Sequence, residues 1–192
     1  MLFRSKIFEV SDLGPGKKLI PTLQRTKLPI ITIDDDLLLP ADLTLQLMAE
    51  HLKHPSDIIA ARTHRIAIDD SGAIKKFAEW QLEFDRYNSP DPRLLPTSGA
   101  GTLFPSGSLH QEVLDQKSYR DLAFHTDDLW WYFHARKAGT AIRRLPGRRP
   151  LSFIEGTQEV GLWSTGNQER NDQNFAKLVA RYGNPLVKSK LR

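Results

Sequence analysis

The sequence predicts an α/β fold in which a mostly parallel sheet is flanked by helices. Strand-like and helix-like segments alternate over much of the chain, as they do in proteins whose parallel strands are joined by crossover helices. The clearest strand, residues 29–33, is apolar throughout, so we expect it in the centre of the sheet. The length of 192 residues fits a single domain spanning residues 1–192.

Strands are predicted where short apolar or β-branched runs are bounded by turn residues. Besides 29–33 they are 6–10, 57–61 and 141–145, with a hairpin at 65–74 that turns at residues 69–72. Residues 88–108 are predicted to be a long loop, because seven prolines and glycines interrupt them. A loop of this length that carries Leu and Phe is typical of a binding loop, so we expect it to close over a ligand site.

Helices are predicted where apolar residues recur at a spacing of three or four. Over 40–54, Leu43, Leu47 and Met48 follow this spacing, and Pro55 comes after the end. Capping and stop residues indicate the other helices: 17–23 after a glycine turn, 127–137 ended by Gly139, and 171–181 capped by Asn171 or Asp172 and ended by Gly183.

The composition excludes several classes of protein. The chain has no cysteine, which removes disulfides, thiolate zinc sites and thiol catalysis and fits a reducing compartment. No apolar run approaches the roughly 18 residues of a membrane span, and the start is too short and charged for a secretion signal, so a cytoplasmic protein without a membrane span is expected. A net charge of +4 suits a phosphate-bearing ligand but is too small to predict nucleic-acid binding.

The most informative motif is the run Asp34, Asp35 and Asp36 after the apolar strand. Adjacent carboxylates repel one another and are costly to bury without a counter-ion. On an extended chain Asp34 and Asp36 point to one side and Asp35 to the other, so two carboxylates can bind one hard cation such as Mg²⁺ or Mn²⁺. The alternative is a solvated acidic turn.

A second acidic pair, Asp127 and Asp128, directly precedes an aromatic run. With Thr126 as N-cap, both acids fall in the first turn of the predicted helix, where they complement its macrodipole. A compatible alternative makes one carboxylate a general base that accepts a proton from a hydroxyl. The aromatic run 130–133 most simply belongs to the core, although one ring at a cleft edge, for which we take Trp130, would stack on a sugar.

Two glycine-containing segments are weaker candidates for ligand loops. Gly99, Ala100 and Gly101 lie among small residues and would let a ligand approach the backbone closely, but a simple turn is the alternative. Lys17 and Lys18 follow a glycine turn at a predicted helix start and would hold a phosphate, with ordinary surface lysines as the alternative.

Six sequence motifs occur in order between about Lys17 and Gly183: GPGKKLIPTL, IITIDDDLLLP, DIIAARTHRI, SGAGTLFPSGSL, HTDDLWWYFHARKAG and NDQNFAKLVARYG. In this order they resemble a group of bacterial glycosyltransferases of the GT-A type, similar to family 2. The resemblance implies a GT-A (Rossmann-like) sheet and a hexosyltransferase type of activity. It implies a UDP- or GDP-linked sugar donor and a carbohydrate acceptor, such as a cell-surface polysaccharide.

The resemblance also implies a role for each matching position. Asp34 and Asp36 match the DxD aspartates that hold Mn²⁺ or Mg²⁺ on the donor diphosphate, and Asp35 would touch the ribose or sugar. Lys17 and Lys18 match a basic patch near the nucleotide or phosphates. Asp127 and Asp128 match the acceptor-side acids, with Asp128 favoured as the base. The acceptor side would be lined by the loop residues Gly99, Ala100 and Gly101.

The chain departs from the family at its start, because the first strand, helix and strand of a GT-A domain, roughly 30 residues or more, have no counterpart here. We therefore expect a GT-A domain that is partial at its N-terminus. One alternative function is a non-catalytic remnant that binds a sugar or a partner chain, with a sheet edge that pairs or forms homo-oligomers. Another is a phosphohydrolase, although Leu38 stands where its motif would place a hydroxyl residue.

Overall fold

The computed structural model describes residues 6–147, 150–157 and 167–187 of the chain. The helices are α1 (Ile20–Leu23), α2 (Leu43–Lys53), α3 (Gln116–Ala123), α4 (Asp127–Lys137) and α5 (Asn167–Tyr182). The strands are β1 (Ile30–Thr32), β2 (Ile58–Ala60), β3 (Thr63–Arg65), β4 (Leu94–Pro96), β5 (Thr102–Phe104) and β6 (Ile142–Arg144). The predicted mixture of helices and strands is therefore confirmed.

The main sheet has four strands in the order β1-β5-β2-β6. Strand β5 runs antiparallel to both β1 and β2, and only β6 runs parallel to its neighbour β2. The prediction of a mostly parallel sheet is therefore wrong for the described residues. Apolar runs mark buried strands, but they do not tell strand direction, because a central antiparallel strand covered on both faces has the same composition.

The position predicted for the strand at 29–33 is also wrong. Strand β1 lies at an edge of the sheet, and it is shorter than predicted, ending at Thr32. Ile33 is 54% exposed and Leu28 is 72% exposed, so the apolar run extends beyond its buried part. The buried Ile30 and Thr32 alternate with the half-buried Ile31, as expected for a strand that is covered mainly on one face.

The segment 88–108 is not one long loop, and its centre belongs to the interior. It contains β4, which pairs with β3 in a second, two-stranded sheet, and β5 of the main sheet. Every residue from Leu94 to Pro105 is buried. Its prolines and glycines end short strands instead of creating one long loop, so the predicted closure over a ligand site is wrong.

The helix predictions succeed best where the apolar spacing is strong. Helix α4 has the predicted bounds, and α2 lies within the predicted range. Helix α5 begins before the predicted caps, and the side chain of Asp172 instead accepts a hydrogen bond from the backbone N–H of Phe77 at 2.7 Å. The predicted helix at 17–23 is a 3₁₀ turn, Gly14–Lys18, followed by the short α1, and no strand forms at 6–10.

Helices cover both faces of the main sheet. Successive residues of a strand point to opposite faces, so Ile58 packs into a larger core with α4 and α5, while Ile59 packs with Leu43 and Leu47 of α2. Trp130, Trp131 and Tyr132 of α4 have no exposed surface, which confirms that the aromatic run belongs to the core. Among the helices in the described ranges, none is long and apolar enough to cross a membrane.

Candidate functional site

Asp34, two residues after the end of β1, is hydrogen-bonded to the glycine loop, residues 98–101. Its backbone N–H donates to the carbonyl of Gly99 at 2.8 Å, and the hydroxyl of Thr32 donates to the carbonyl of Ser98 at 2.9 Å. A Cβ atom on Gly99 would lie only 1.8 Å from Oδ2 of Asp34, so only glycine lets the carboxylate sit in this position. The end of β1 and the loop therefore form one unit.

Asp35 and Asp36 do not continue the extended backbone of β1. Asp35 and Asp36 form a turn, so the predicted alternation of side chains about an extended chain is wrong beyond the strand end. The backbone carbonyl of Asp36 accepts a hydrogen bond from Ile154 at 2.9 Å, and Leu37 pairs with Phe153 as an isolated bridge. Asp35 is exposed, whereas Asp34 and Asp36 are half-buried.

Lys18 connects the two acidic groups that the sequence separates by almost a hundred residues. Its Nζ lies 2.7 Å from Oδ1 of Asp34 and 3.4 Å from Oδ2 of Asp127. Lys17, one residue earlier, pairs instead with the exposed Asp12 at 3.1 Å. Of the two predicted lysines, only Lys18 therefore lies at the acidic site.

The second acidic pair projects from the first turn of α4, and Ser98 holds it against the loop. The Ser98 hydroxyl donates to Oδ1 of Asp128 at 2.6 Å and lies 3.2 Å from Oδ2 of Asp127. Its backbone N–H also donates to Oδ1 of Asp128, at 2.8 Å. Ser98 is a site residue that the sequence did not single out, because a serine before a glycine most often marks only a turn.

Thr126 precedes α4 as predicted, but its side chain does not cap the helix. The Thr126 hydroxyl instead donates to the carbonyl of Ala123 at 3.0 Å. The amide group of Asn174 in α5 donates to the Thr126 hydroxyl at 3.0 Å, which fixes the start of α4 to a second helix. Asp127 and Asp128 therefore lie at the helix start, where their negative charges complement the helix macrodipole, and they also face Lys18 and Ser98.

The pKa values of the site residues are shifted because several charged side chains are buried close together. Burial, and next the neighbouring Asp127, raise the pKa of Asp128 to about 6, although Lys18 and the Ser98 hydrogen bonds oppose the shift. Burial also raises the pKa of Asp34, with Lys18 acting in the opposite direction. Burial on its own would lower the pKa of Lys18, but attraction to Asp127, Asp128 and Asp34 outweighs it and raises that pKa.

The remaining predicted residues lie away from the acids. Trp130 has no exposed surface, and its Nε1 donates to the carbonyl of Val113 at 3.0 Å, so the predicted stacking on a sugar is wrong. A Cβ on Gly101 would lie 2.8 Å from a methyl group of Leu43, so this glycine serves packing against α2. Ala100 is buried and lines a small apolar cavity with Leu37 and Leu43.

The donor set suits a hard cation, although it is not a complete cage. Within the described ranges, no group of three or more His, Asp, Glu or Cys side chains is placed to hold a metal. Mg²⁺ at a phosphate site commonly uses one or two carboxylates together with phosphate oxygens and water. Asp34 is an oxygen ligand of that kind, and its position is set by Gly99, where a Cβ would overlap the carboxylate. Asp36, half-buried two residues later, would be the second ligand.

Comparison with known proteins adds no assignment, because no family model and no curated protein matches this chain. The structure brings Asp34, Lys18, Gly99, Asp127 and Asp128 together. It places Lys17, Gly101 and Trp130 elsewhere.

Proposed function

We propose that this chain is a GT-A-like glycosyltransferase domain that uses Mn²⁺ or Mg²⁺ to move a sugar from a UDP- or GDP-linked donor to an acceptor hydroxyl. The observation that carries the proposal is the contact between its donor-side and acceptor-side residues. Lys18 lies within ion-pair distance of both Asp34 and Asp127. Four segments that resemble transferase motifs and that are spread over residues 14–139 meet at this point.

The donor half of the proposed mechanism uses Asp34, Asp36 and Lys18. The two aspartates would hold the cation, and the cation when bound would neutralise charge on the departing diphosphate. Lys18 carries a positive charge that is attracted to phosphate oxygens, which assists the same neutralisation. Asp35, exposed in the turn, would contact the sugar or ribose.

The acceptor half uses the carboxylate of Asp128 as the general base. Both Ser98 hydrogen bonds go to Oδ1, so they orient the carboxylate and leave Oδ2 outside these two bonds. A pKa of about 6 makes this carboxylate a stronger base than an ordinary aspartate while leaving most of it ionised at pH 7. Oδ2 would take the proton from the acceptor hydroxyl as the hydroxyl oxygen attacks the anomeric carbon.

A non-catalytic module that binds a sugar or a partner chain is the second candidate, and one observation favours it. Strand β1 lies at a sheet edge, flanked by the exposed apolar residues Leu28 and Ile33. Edge strands present unpaired backbone groups that can add a strand from another chain, including a second copy. This candidate predicts binding without transfer of a sugar.

Thermal unfolding in the presence of Mn²⁺ with UDP or GDP tests the proposal. The nucleotide is expected to raise the unfolding temperature beyond the effect of Mn²⁺ alone, because a ligand at about 100 times its Kd stabilises by about 2.7 kcal/mol. The double variant Asp34→Ala/Asp36→Ala should lose this effect. Asp70→Ala, which removes an exposed turn carboxylate, is the matched control and should keep it.

The outcomes separate the candidates. Stabilisation by Mn²⁺ without any nucleotide effect would favour the binding module, and an unchanged response in Asp34→Ala/Asp36→Ala would overturn the assigned cation site. Asp128→Asn should keep the nucleotide effect but lose sugar transfer, since it removes only the base. Release of phosphate from a generic phosphoester would instead indicate the phosphohydrolase.

A further inference from the structure

We propose that Lys18 is an internal cation that competes with a divalent metal for Asp34, an inference that rests on the proposed function. Its Nζ lies 2.7 Å from Oδ1 of Asp34, which is the distance of a direct charge-assisted hydrogen bond. The consequence is ordered binding. A metal alone binds weakly, and it binds well only when a diphosphate is present to accept the displaced lysine.

One oxygen of Asp34 is held in an ion pair, and the other lies against the glycine loop, while the side chain as a whole is half-buried. Oδ2 faces the backbone of Gly99, where a Cβ atom would lie only 1.8 Å away. Oδ1 faces Lys18. Of these two neighbours only the ammonium group, at the end of a flexible side chain, can move aside, so a cation that binds Oδ1 must displace Lys18.

The packing of the turn fixes the backbone of Lys18, so its flexible side chain starts from a point within reach of Asp34. Lys18 ends the 3₁₀ turn Gly14–Lys18, and the following Leu19 is fully buried. Within that turn, a Cβ on Gly16 would lie 2.6 Å from the ring of Tyr119, so the turn packs directly against α3. Lys17 lacks this placement, because its ammonium pairs with Asp12.

Charge gives the reason for the competition. The Lys18 ammonium contacts Asp34 and also lies 3.4 Å from Asp127, whose neighbour Asp128 is held by the same Ser98 side chain. Replacing the lysine with a neutral residue leaves these enclosed carboxylates with less positive charge beside them. A divalent cation then becomes the most favourable replacement, so its affinity should rise.

The test measures Mn²⁺ binding by isothermal titration calorimetry with no nucleotide present. The neutral variants Lys18→Met and Lys18→Gln are expected to bind Mn²⁺ at least tenfold more tightly than the wild-type protein. Lys18→Arg keeps the charge and should bind as weakly as the wild type. Lys17→Met is the matched control, because it removes the adjacent lysine that points away, and it should change nothing. Affinities equal to the wild type in folded Lys18→Met and Lys18→Gln would overturn the proposal.

A measurement on the wild-type chain does not depend on the folding of any neutral variant. Lysines labelled with ¹³C by reductive methylation keep their charge, and the Lys18 signal is identified by its loss in Lys18→Arg. Titration with Mg²⁺ should move the Lys18 signal while the Lys17 signal stays in place. A Lys18 signal that stays fixed at Mg²⁺ concentrations at which calorimetry shows the site to be filled would also overturn the proposal.

Failure of this inference and failure of the proposed function give different results. If the neutral Lys18 variants gain Mn²⁺ affinity but UDP and GDP stabilise no form of the protein, the competition is real and the transferase is wrong. If the nucleotides stabilise the wild-type protein with Mn²⁺ and the Lys18 variants gain no Mn²⁺ affinity, the proposed transferase function is supported. The Lys18–Asp34 contact is then only a structural ion pair.

Discussion

Single atoms decide the geometry of the acidic site. The carboxylate of Asp34 fits between the backbone of Gly99 and the ammonium of Lys18, with no space for a side chain at residue 99. Ser98 contributes both its hydroxyl and its backbone N–H to one oxygen of Asp128. The conformation of two loop residues, Ser98 and Gly99, therefore positions acids from two distant parts of the chain.

Gly99→Ala tests this arrangement at the scale of one methyl group. The new Cβ would overlap Oδ2 of Asp34, so the carboxylate or the loop must move, and we expect a loss of about 1–3 kcal/mol in unfolding free energy. Combining it with Asp34→Ala removes the overlap. Chemical denaturation should therefore show the double variant less destabilised than the sum of the two single variants. Strict additivity would mean that the overlap is relieved elsewhere.

At the scale of the element, α4 serves the core and the site at once. Its first turn carries Asp127 and Asp128, while Trp130 and Trp131 of the same helix are completely buried. Asn174 of α5 ties its start to a second helix. The acids are therefore held on a rigid element, which suits groups that must keep a fixed orientation.

The two adjacent tryptophans of α4 give a matched comparison. The Nε1 atom of Trp130 donates to Val113, whereas that of Trp131 has no hydrogen-bond partner within the described part of the chain. Both changes to phenylalanine remove buried ring atoms, but only Trp130→Phe also removes a hydrogen bond. Urea unfolding should show Trp130→Phe about 1 kcal/mol less stable than Trp131→Phe. Equal losses would mean that the hydrogen bond makes no net contribution.

At the scale of the whole molecule, buried titratable groups set the response of stability to pH. Burial lowers the pKa of His64 and of His134 to about 3, so both stay neutral in the folded state. Histidines in the unfolded chain bind protons below about pH 6.5, so these two residues make stability fall as the pH decreases from there towards 3. Asp128 and Asp34 act in the opposite direction, because their raised pKa values let the folded state bind protons first as the pH falls.

His134→Leu tests this balance. Neither ring nitrogen of His134 has a hydrogen-bond partner among the described residues, so the change removes two unsatisfied polar atoms from the interior. The variant should be at least as stable as the wild type at pH 7. Denaturation at several pH values should also show a smaller loss of stability between pH 6.5 and 4. The same acid dependence in both proteins would contradict the assignment of a neutral, buried His134.

The sequence by itself determined the elements whose signals are local. Apolar spacing located α2 and α4, and short apolar runs located β1, β2 and β6, because the buried face of an element must be apolar wherever it packs. The acids at 34 and at 127–128, Lys18 and the glycine of the loop were all recognised as candidates from residue type and order. The local sequence pattern does not indicate which of these residues are in contact in the folded protein.

Only the tertiary structure decided strand direction, the edge position of β1 and the membership of the site. Strand direction depends on how connections cross the sheet, and an apolar run is the same in either direction. Lys17 and Lys18 are equivalent in sequence, but the 3₁₀ turn sends one to Asp12 and the other to Asp34. Ser98 became a site residue, and Trp130 a core residue, because contacts between distant segments assign roles that neighbours in sequence do not specify.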